Sequence, residues 1–263
     1  MVKSSNQAEI RKAFTGQARG FESARMNFSK KEYLDHAVSE ISPNKTDNVL
    51  EVASGTCVCG RAIAPYVGSV TCLDMTPAML SVGKTEAERE HIHNINFVIG
   101  DAAKLPFPDN RFEIVFSRLA FHHFSDTKQA FAEMVRVLKP GGKLVLIDLE
   151  AAEEPWRETE DRIEKLRDPS HVRNLSCADM RELYLAHGLS ISQCETVRMP
   201  TILQNWLDHT KTPALIQSEI RGLVEDELAG GRKTGFAPYR KGSDIRFDQR
   251  WVLIIGTRKG SAS

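Results

Sequence analysis

The sequence predicts an α/β fold built on a doubly wound, mostly parallel sheet, and three observations carry that prediction. The stretch Asn48 to Gly60 reads as a short apolar strand, a tight turn and a helix start. Within it, Val49, Leu50, Val52 and Ala53 form the near-continuous apolar run of a strand buried on both faces. Four more strand-like runs follow, alternating with helical patterns.

Composition limits the function classes. At 263 residues, 41% of them hydrophobic, the chain can build one large domain, or a domain plus a cap, without disulfide staples. Its 35 basic and 35 acidic side chains cancel, so no global field draws nucleic acid or an anionic membrane. Five cysteines, an odd number, without a secretory leader pattern, point to reduced thiols and a cytoplasmic location. No apolar run approaches the ~20 residues of a membrane span, so no stable membrane insertion is expected.

The elements follow in order. Ser29-Lys-Lys-Glu32 has capping-box spacing, and Tyr33, Leu34, Ala37, Val38 and Ile41 follow at helical spacing, which predicts a helix over about 30–41. After the turn, a helix runs from Cys59 to Tyr66, and Ser69 to Leu73 forms a second strand ending in Asp74. Thr76 as N-cap and Pro77 at N1 start a helix to about Glu90. Ile95 to Ile99 is the third strand. Phe112 to Ser117, entered through Pro108-Asp109-Asn110, is the fourth. A helix from Ser125 carries the stripe Ala130, Phe131, Met134, Val137 and Leu138, stops at Lys139-Pro140-Gly141-Gly142, and precedes a fifth strand from Lys143 to Leu149. An insertion from Ala151 to His187 reads as two helices joined by Arg167 to Arg173, and a second insertion carries Trp206.

The turn after the first strand admits three nucleotide-binding readings. Gly55 and Gly60 have P-loop spacing, but Arg61-Ala62 stands where Lys-Ser/Thr should hold phosphate and magnesium. The dinucleotide fingerprint falls on Ala53, Gly55 and Val58, keeping one glycine of three. The third reading needs no phosphate site. A carboxylate at Glu51 followed by small residues suits a turn where a ligand with amine, hydroxyl or phosphate groups comes close to the backbone. Asp74, at the tip of the second strand, is placed to accept hydrogen bonds from ribose hydroxyls or merely to start the next turn. Cys57-Val58-Cys59 lacks the second pair expected of structural zinc and reads as small apolar packing, so no metal site is expected.

In order, Glu51-Val52-Ala53-Ser54-Gly55-Thr56-Cys57 resembles the first motif of class I S-adenosylmethionine-dependent methyltransferases, an acidic residue followed by a small-x-Gly-x-small loop. Its companions are Asp74, the Gly100-Asp101-Ala102 turn, the run Leu105-Pro-Phe-Pro-Asp109 and Leu138-Lys-Pro-Gly-Gly142. The series is similar to the branch containing the ubiquinone/menaquinone-biosynthesis C-methyltransferases and many small-molecule methyltransferases. Cys57 departs from it, replacing the glycine usual at that position.

The resemblance implies a seven-stranded, mostly parallel Rossmann-like sheet, with Leu189 to Val197 and Arg246 to Thr257 as an antiparallel pair at one edge, and helical cap insertions. It implies S-adenosyl-L-methionine as cofactor and S-adenosyl-L-homocysteine as product. Glu51, Ala53, Ser54, Gly55 and Cys57 would line the cofactor turn, Asp74 and Met75 the ribose, and Asp101 and Ala102 the adenine. Ser117 and Leu119 leave the fourth strand above the sheet's carboxyl edge, where open α/β sheets bind ligands. His122 and His123 follow there, as a base or an orienting group for the acceptor or as caps of the next helix. Phe14, Gln17, Phe21, Met26 and Asn27, on a less regular segment, resemble the family's amino-terminal flap or form a helical arm packing its aromatics on the domain, and both readings can hold together. Phe21, His171, Arg173 and Trp206 are expected at the acceptor.

These readings divide the chain into a flap (1–45), a cofactor-binding core (46–150) and edge strands with pocket insertions (151–263), together one domain. The expected activity is methyl transfer to a small-molecule acceptor by a monomer or homodimer. A non-catalytic S-adenosylmethionine-binding protein and a nicotinamide-dependent oxidoreductase are the rivals.

Overall fold

A computed structural model describes residues 2–22 and 30–260, with side chains from residue 7 onward. Met26, Asn27 and Ser29 lie outside the described residues.

Parallel strands β1 (Asn48–Val52), β2 (Ser69–Asp74), β3 (Ile95–Ile99), β4 (Phe112–Arg118) and β5 (Leu138–Leu149) form the main sheet. With β6 (Leu189–Ile202), β7 (Tyr239–Lys241) and β8 (Asp244–Arg258) the sheet has eight strands, in the order β3-β2-β1-β4-β5-β8-β6, with β7 paired to β8. β8 runs antiparallel to both β5 and β6. The order reverses between β1 and β4, which opens a crevice at their carboxyl ends. The short β7, a hairpin partner of β8, is the strand the sequence reading did not contain.

Helices cover both faces. Along each strand, alternate residues enter different cores: Leu50, Val115, Leu144 and Val252 pack with Phe131 and Tyr184, whereas Val49, Ile114, Val145 and Leu253 pack with Ile41, Ile63 and Leu80. The first core rests on α5 (Thr127–Val137) and α7 (Cys177–Ala186). The second rests on α2 (Lys31–Ile41), α3 (Val58–Ile63) and α4 (Pro77–Arg89). A third cluster around Trp206, Phe236 and Phe247 is built from α6 (Glu154–Arg167), α8 (Leu203–His209), α9 (Ala214–Leu228) and the far ends of β6 and β8.

Phe14 and Gln17 sit in a regular helix, α1 (Val2–Gln17), the helical arm being one of the two readings of that segment. Two expectations change. The N-cap of α2 is Lys30, whose side chain caps nothing. Leu138 to Gly142 is an irregular extension of β5 and not a loop: Phe112 faces Leu138, but Ile114 already faces Lys143. Gly142 is required in that bulge, because a Cβ there would lie 2.8 Å from the Glu113 carbonyl. β6 and β8 also pair beyond the end of β5, from Arg198–Arg250 to Ile202–Arg246, which gives the third cluster its floor.

Gly60 presses α3 onto the sheet. A Cβ there would lie 2.6 Å from Glu51 Oε2 and 2.6 Å from Cys72 Sγ. Gly60→Ala is expected to cost about 1–3 kcal/mol through overpacking, whereas Gly222→Ala, with open space around it in α9, should be neutral or stabilising. Thermal denaturation of both variants checks the contrast.

Candidate active site

The turn after β1 is wound by three left-handed residues: Ala53 (φ 54°), Gly55 (φ 54°) and Cys57 (φ 59°). Only one is glycine, so the alanine and the cysteine hold a conformation that costs an L-residue roughly 1–2 kcal/mol. Ties to β2 secure it: Ser54 N donates to the Leu73 carbonyl at 3.0 Å, and Gly55 N to Asp74 Oδ2 at 2.8 Å. Asp74 Oδ1 accepts from Thr76 N at 2.8 Å. Thr76 is the N-cap residue of the next helix and Pro77 its first residue, as expected, but the Thr76 side chain makes no cap bond; Asp74 holds the N-cap backbone instead.

The neighbouring strand ends repeat the device. Glu51 Oε2 accepts from Gly60 N at 2.8 Å, and burial, partly offset by that N–H and by Arg118, pushes the carboxyl up to about 8. Beyond β3, Asp101 Oδ1 accepts from Ala103 N at 2.9 Å and Oδ2 from Gln7 Nε2 of α1 at 2.8 Å. At the end of β5, Asp148 accepts from Ala120 N (3.1 Å), Phe121 N and His122 Nδ1 (both 2.5 Å), and Leu149 N (2.6 Å).

The adjacent histidines divide their roles. Although burial disfavours its charged form, Asp148 holds the pKa of His122 above that of free imidazole. His123, whose ring centroid lies 4.2 Å from that of His122, is held well below the free value by burial and then by its neighbour's charge. Two rings so close do not both carry a proton charge. His123 Nδ1 meets Ser170 Oγ at 3.1 Å, and the edge of Phe14 packs on its ring at 5.1 Å.

These groups surround one cavity of about 250 Å³ at the crevice. Glu51, Ala53, Ser54 and Gly55 line one end, with Asp74, Met75, Asp101 and Ala102 beside them. Leu119, His122 and His123 line it too, as do Phe14, Gln17 and Phe21 of the amino-terminal segment. Arg118, whose guanidinium lies 5.3 Å from the Trp251 ring, completes the wall with Leu149, Asp168, His209 and Gln249.

Five residues singled out in the sequence lie outside this wall. Cys57 is fully buried behind the turn, with Sγ 3.3 Å from Ser54 Oγ. Ser117 is likewise buried and donates to the Val52 carbonyl at 2.9 Å. Trp206 packs in the third core, stacked on Arg167 at 4.3 Å. His171 is buried against Asp161 at 2.9 Å, and Arg173 is exposed on the same loop. Asp148, Asp168, His209, Gln249 and Trp251 were not foreseen, although Asp148 repeats the strand-end carboxylate seen at Glu51 and Asp74.

The comparisons agree with this geometry. Residues 50–146 match the family described as "Methyltransferase domain". The chain is 32% identical over 234 residues to the "Uncharacterized methyltransferase YcgJ" of Bacillus subtilis, covering 88% of this chain and 92% of that one. The crystal structure of the B. subtilis YcgJ protein superposes with a TM-score of 0.80 at 29% identity, over 88% of this chain and all of that one. A demethylmenaquinone methyltransferase of Listeria monocytogenes is 38% identical over 118 residues, 43% of this chain and 50% of its own length. The chain belongs to the class I S-adenosylmethionine-dependent methyltransferases. It is therefore an enzyme, neither a bare binding protein nor a nicotinamide oxidoreductase.

A carboxyl raised in the folded state keeps a proton that the unfolded chain has lost, so it stabilises below its unfolded pKa and loses that contribution as pH rises through its folded one. Glu51 alone therefore contributes a loss of stability to the ligand-free protein between about pH 4.5 and 8, as Glu160 does on its way to about 7, whereas His123 and His209, held down by burial at about 3 and 4, contribute the opposite sign up to about 6.5. Glu51→Gln removes the first contribution, so the stability of wild type relative to the variant should fall as pH rises. Melting temperatures of both proteins from pH 5 to 8 check the sign.

Proposed function

We propose that this methyltransferase moves a methyl group from S-adenosylmethionine to a small-molecule acceptor whose nucleophilic atom carries a proton, with His123 receiving that proton. The observation carrying the reading is that a neutral, buried imidazole lines the same cavity as the Glu51–Gly55 turn, Asp74 and Asp101.

The residues present fit the cofactor. Gly55 lines the cavity without a side chain, in a left-handed conformation (φ 54°) that suits glycine. Asp74 and Asp101 have spent one lone pair of each oxygen on protein donors, which leaves acceptor capacity for ribose hydroxyls and an exocyclic amine. The bound cofactor supplies an electrophilic methyl on a sulfonium. The protein's own part is positioning, which can contribute on the order of 7–11 kcal/mol. Phe14 and Phe21 of the amino-terminal segment shield the histidine side from water. Leu149 and Trp251 offer an apolar face to the acceptor, and His123 accepts its hydrogen bond. Asp148 fixes the His122 ring and the backbone N–H groups of Ala120 and Phe121, so His123 approaches at a set angle.

Titration calorimetry tests the reading. Wild type should bind S-adenosylmethionine and S-adenosylhomocysteine, Asp101→Ala should weaken both by about tenfold or more, and His123→Gln should leave affinity within about twofold. Binding of neither compound by wild type would overturn the proposal.

A further inference from the structure

The loop 168–176, between α6 and α7, reaches under the histidine pair. Asp168, Ser170 and His123 are all buried. Ser170 Oγ lies 2.6 Å from Asp168 Oδ1 and 3.1 Å from His123 Nδ1, and Ser170 N also donates to Asp168 Oδ1 at 2.9 Å. A serine hydroxyl has one proton. Although burial disfavours the ion, His123 and Arg167 hold the Asp168 carboxyl below its usual range, so it is a carboxylate and can only accept. The hydroxyl proton is therefore committed to Asp168. An Oγ lone pair then faces His123 Nδ1, and only a protonated Nδ1 makes that contact favourable. With Nδ1 unprotonated, two lone pairs would oppose each other away from water, an arrangement that costs roughly 1–3 kcal/mol for the unmet group.

We infer that Ser170 and Asp168 are positioning residues that hold His123 in its Nδ1–H tautomer and make Nε2 its basic nitrogen. The functional half of this inference rests on the methyl-transfer reading above; the tautomer does not. A proton taken from the acceptor goes to Nε2, its bonding pair stays on the acceptor atom, and the resulting imidazolium keeps Nδ1–H on Ser170. The Asp168 charge, one hydroxyl away, favours that cation. The other titratable neighbours are His122, tied to Asp148, and His171, tied to Asp161. The loop is clamped to the histidine pair by Val172 N and Arg173 N, which donate to the His122 carbonyl at 2.9 and 3.2 Å. Asp161 anchors its other side through His171 Nε2 and Asn174 N. That anchoring gives His171 a place in the site without contact with the cavity.

Two-bond ¹H–¹⁵N spectra of ¹⁵N-histidine-labelled protein read the tautomer directly, with His123→Gln identifying the signals. Wild type should show a pyrrole-like Nδ1 and a pyridine-like Nε2 for His123, the reverse of the form that predominates for free imidazole side chains in water. Folded Ser170→Ala should lose this preference and shift at least half of the ring to Nε2–H. An Nε2–H ring in wild type overturns the inference whether or not the variant folds, and so does an unchanged tautomer in folded Ser170→Ala. Calorimetry of the wild-type sample with S-adenosylmethionine separates the two readings: an Nδ1–H ring in a protein that binds none would retain the relay and overturn the methyl-transfer role.

Discussion

The site depends on one repeated constraint: carboxylates at or just beyond the ends of the parallel strands accept backbone N–H groups from the loops that leave the sheet. Glu51 ties the start of α3, Asp74 ties the turn after β1 to the start of α4, Asp101 turns the chain after β3, and Asp148 gathers the segment after β4. Where the carboxyl is ionised, as at Asp148, such bonds are charge-assisted and stronger than neutral ones; Glu51, pushed up to about 8, accepts from Gly60 N as the neutral acid at pH 7. The loops are thus held by the strands, while the remaining carboxylate lone pairs are available to a ligand. The cost is visible in Glu51, whose burial works against its own charge.

The same constraint explains how the cavity tolerates non-glycine residues in a left-handed turn. Ala53 and Cys57 are over-determined by Ser54 N on Leu73, Gly55 N on Asp74 and the packing of Cys57 Sγ behind the loop. Close approach, and not turn flexibility, sets the glycine requirement nearby: Gly83 brings α4 to 2.6 Å of the Thr56 carbonyl, measured from the Cβ it lacks. The end of the cavity at the β1 turn is thus held by local bonds and packing. The other end is assembled from α1, the 168–176 loop, α8 and the extended β6–β8 ribbon, elements distant in sequence.

That division governs what could be read from the chain alone. The sheet was legible because its strands are short apolar runs punctuated by acids, glycines and prolines, and the cofactor turn because it is a single contiguous motif. α1 was legible only as one of two readings, because Ile10, Phe14 and Gln17 share one helical face but the rest of the segment is polar. The β5 bulge escaped because Lys-Pro-Gly-Gly stops a helix and distorts a strand by the same chemistry. Trp206, expected at the acceptor, packs in the core, whereas His209, one turn further along the same helix, faces the cavity. The Asp168–Ser170–His123 chain spans 47 residues in sequence, and only the placement of α6 over the sheet brings it together.

The most direct test of the account is transfer of labelled methyl from S-adenosylmethionine to a panel of phenols, hydroquinols, enols and thiols, by wild type and His123→Gln side by side. The account predicts an acceptor on which wild type turns over and His123→Gln is slower by roughly 10²–10⁴-fold, as expected when a general base is lost. Equal turnover by the two proteins on every acceptor that wild type methylates would contradict it.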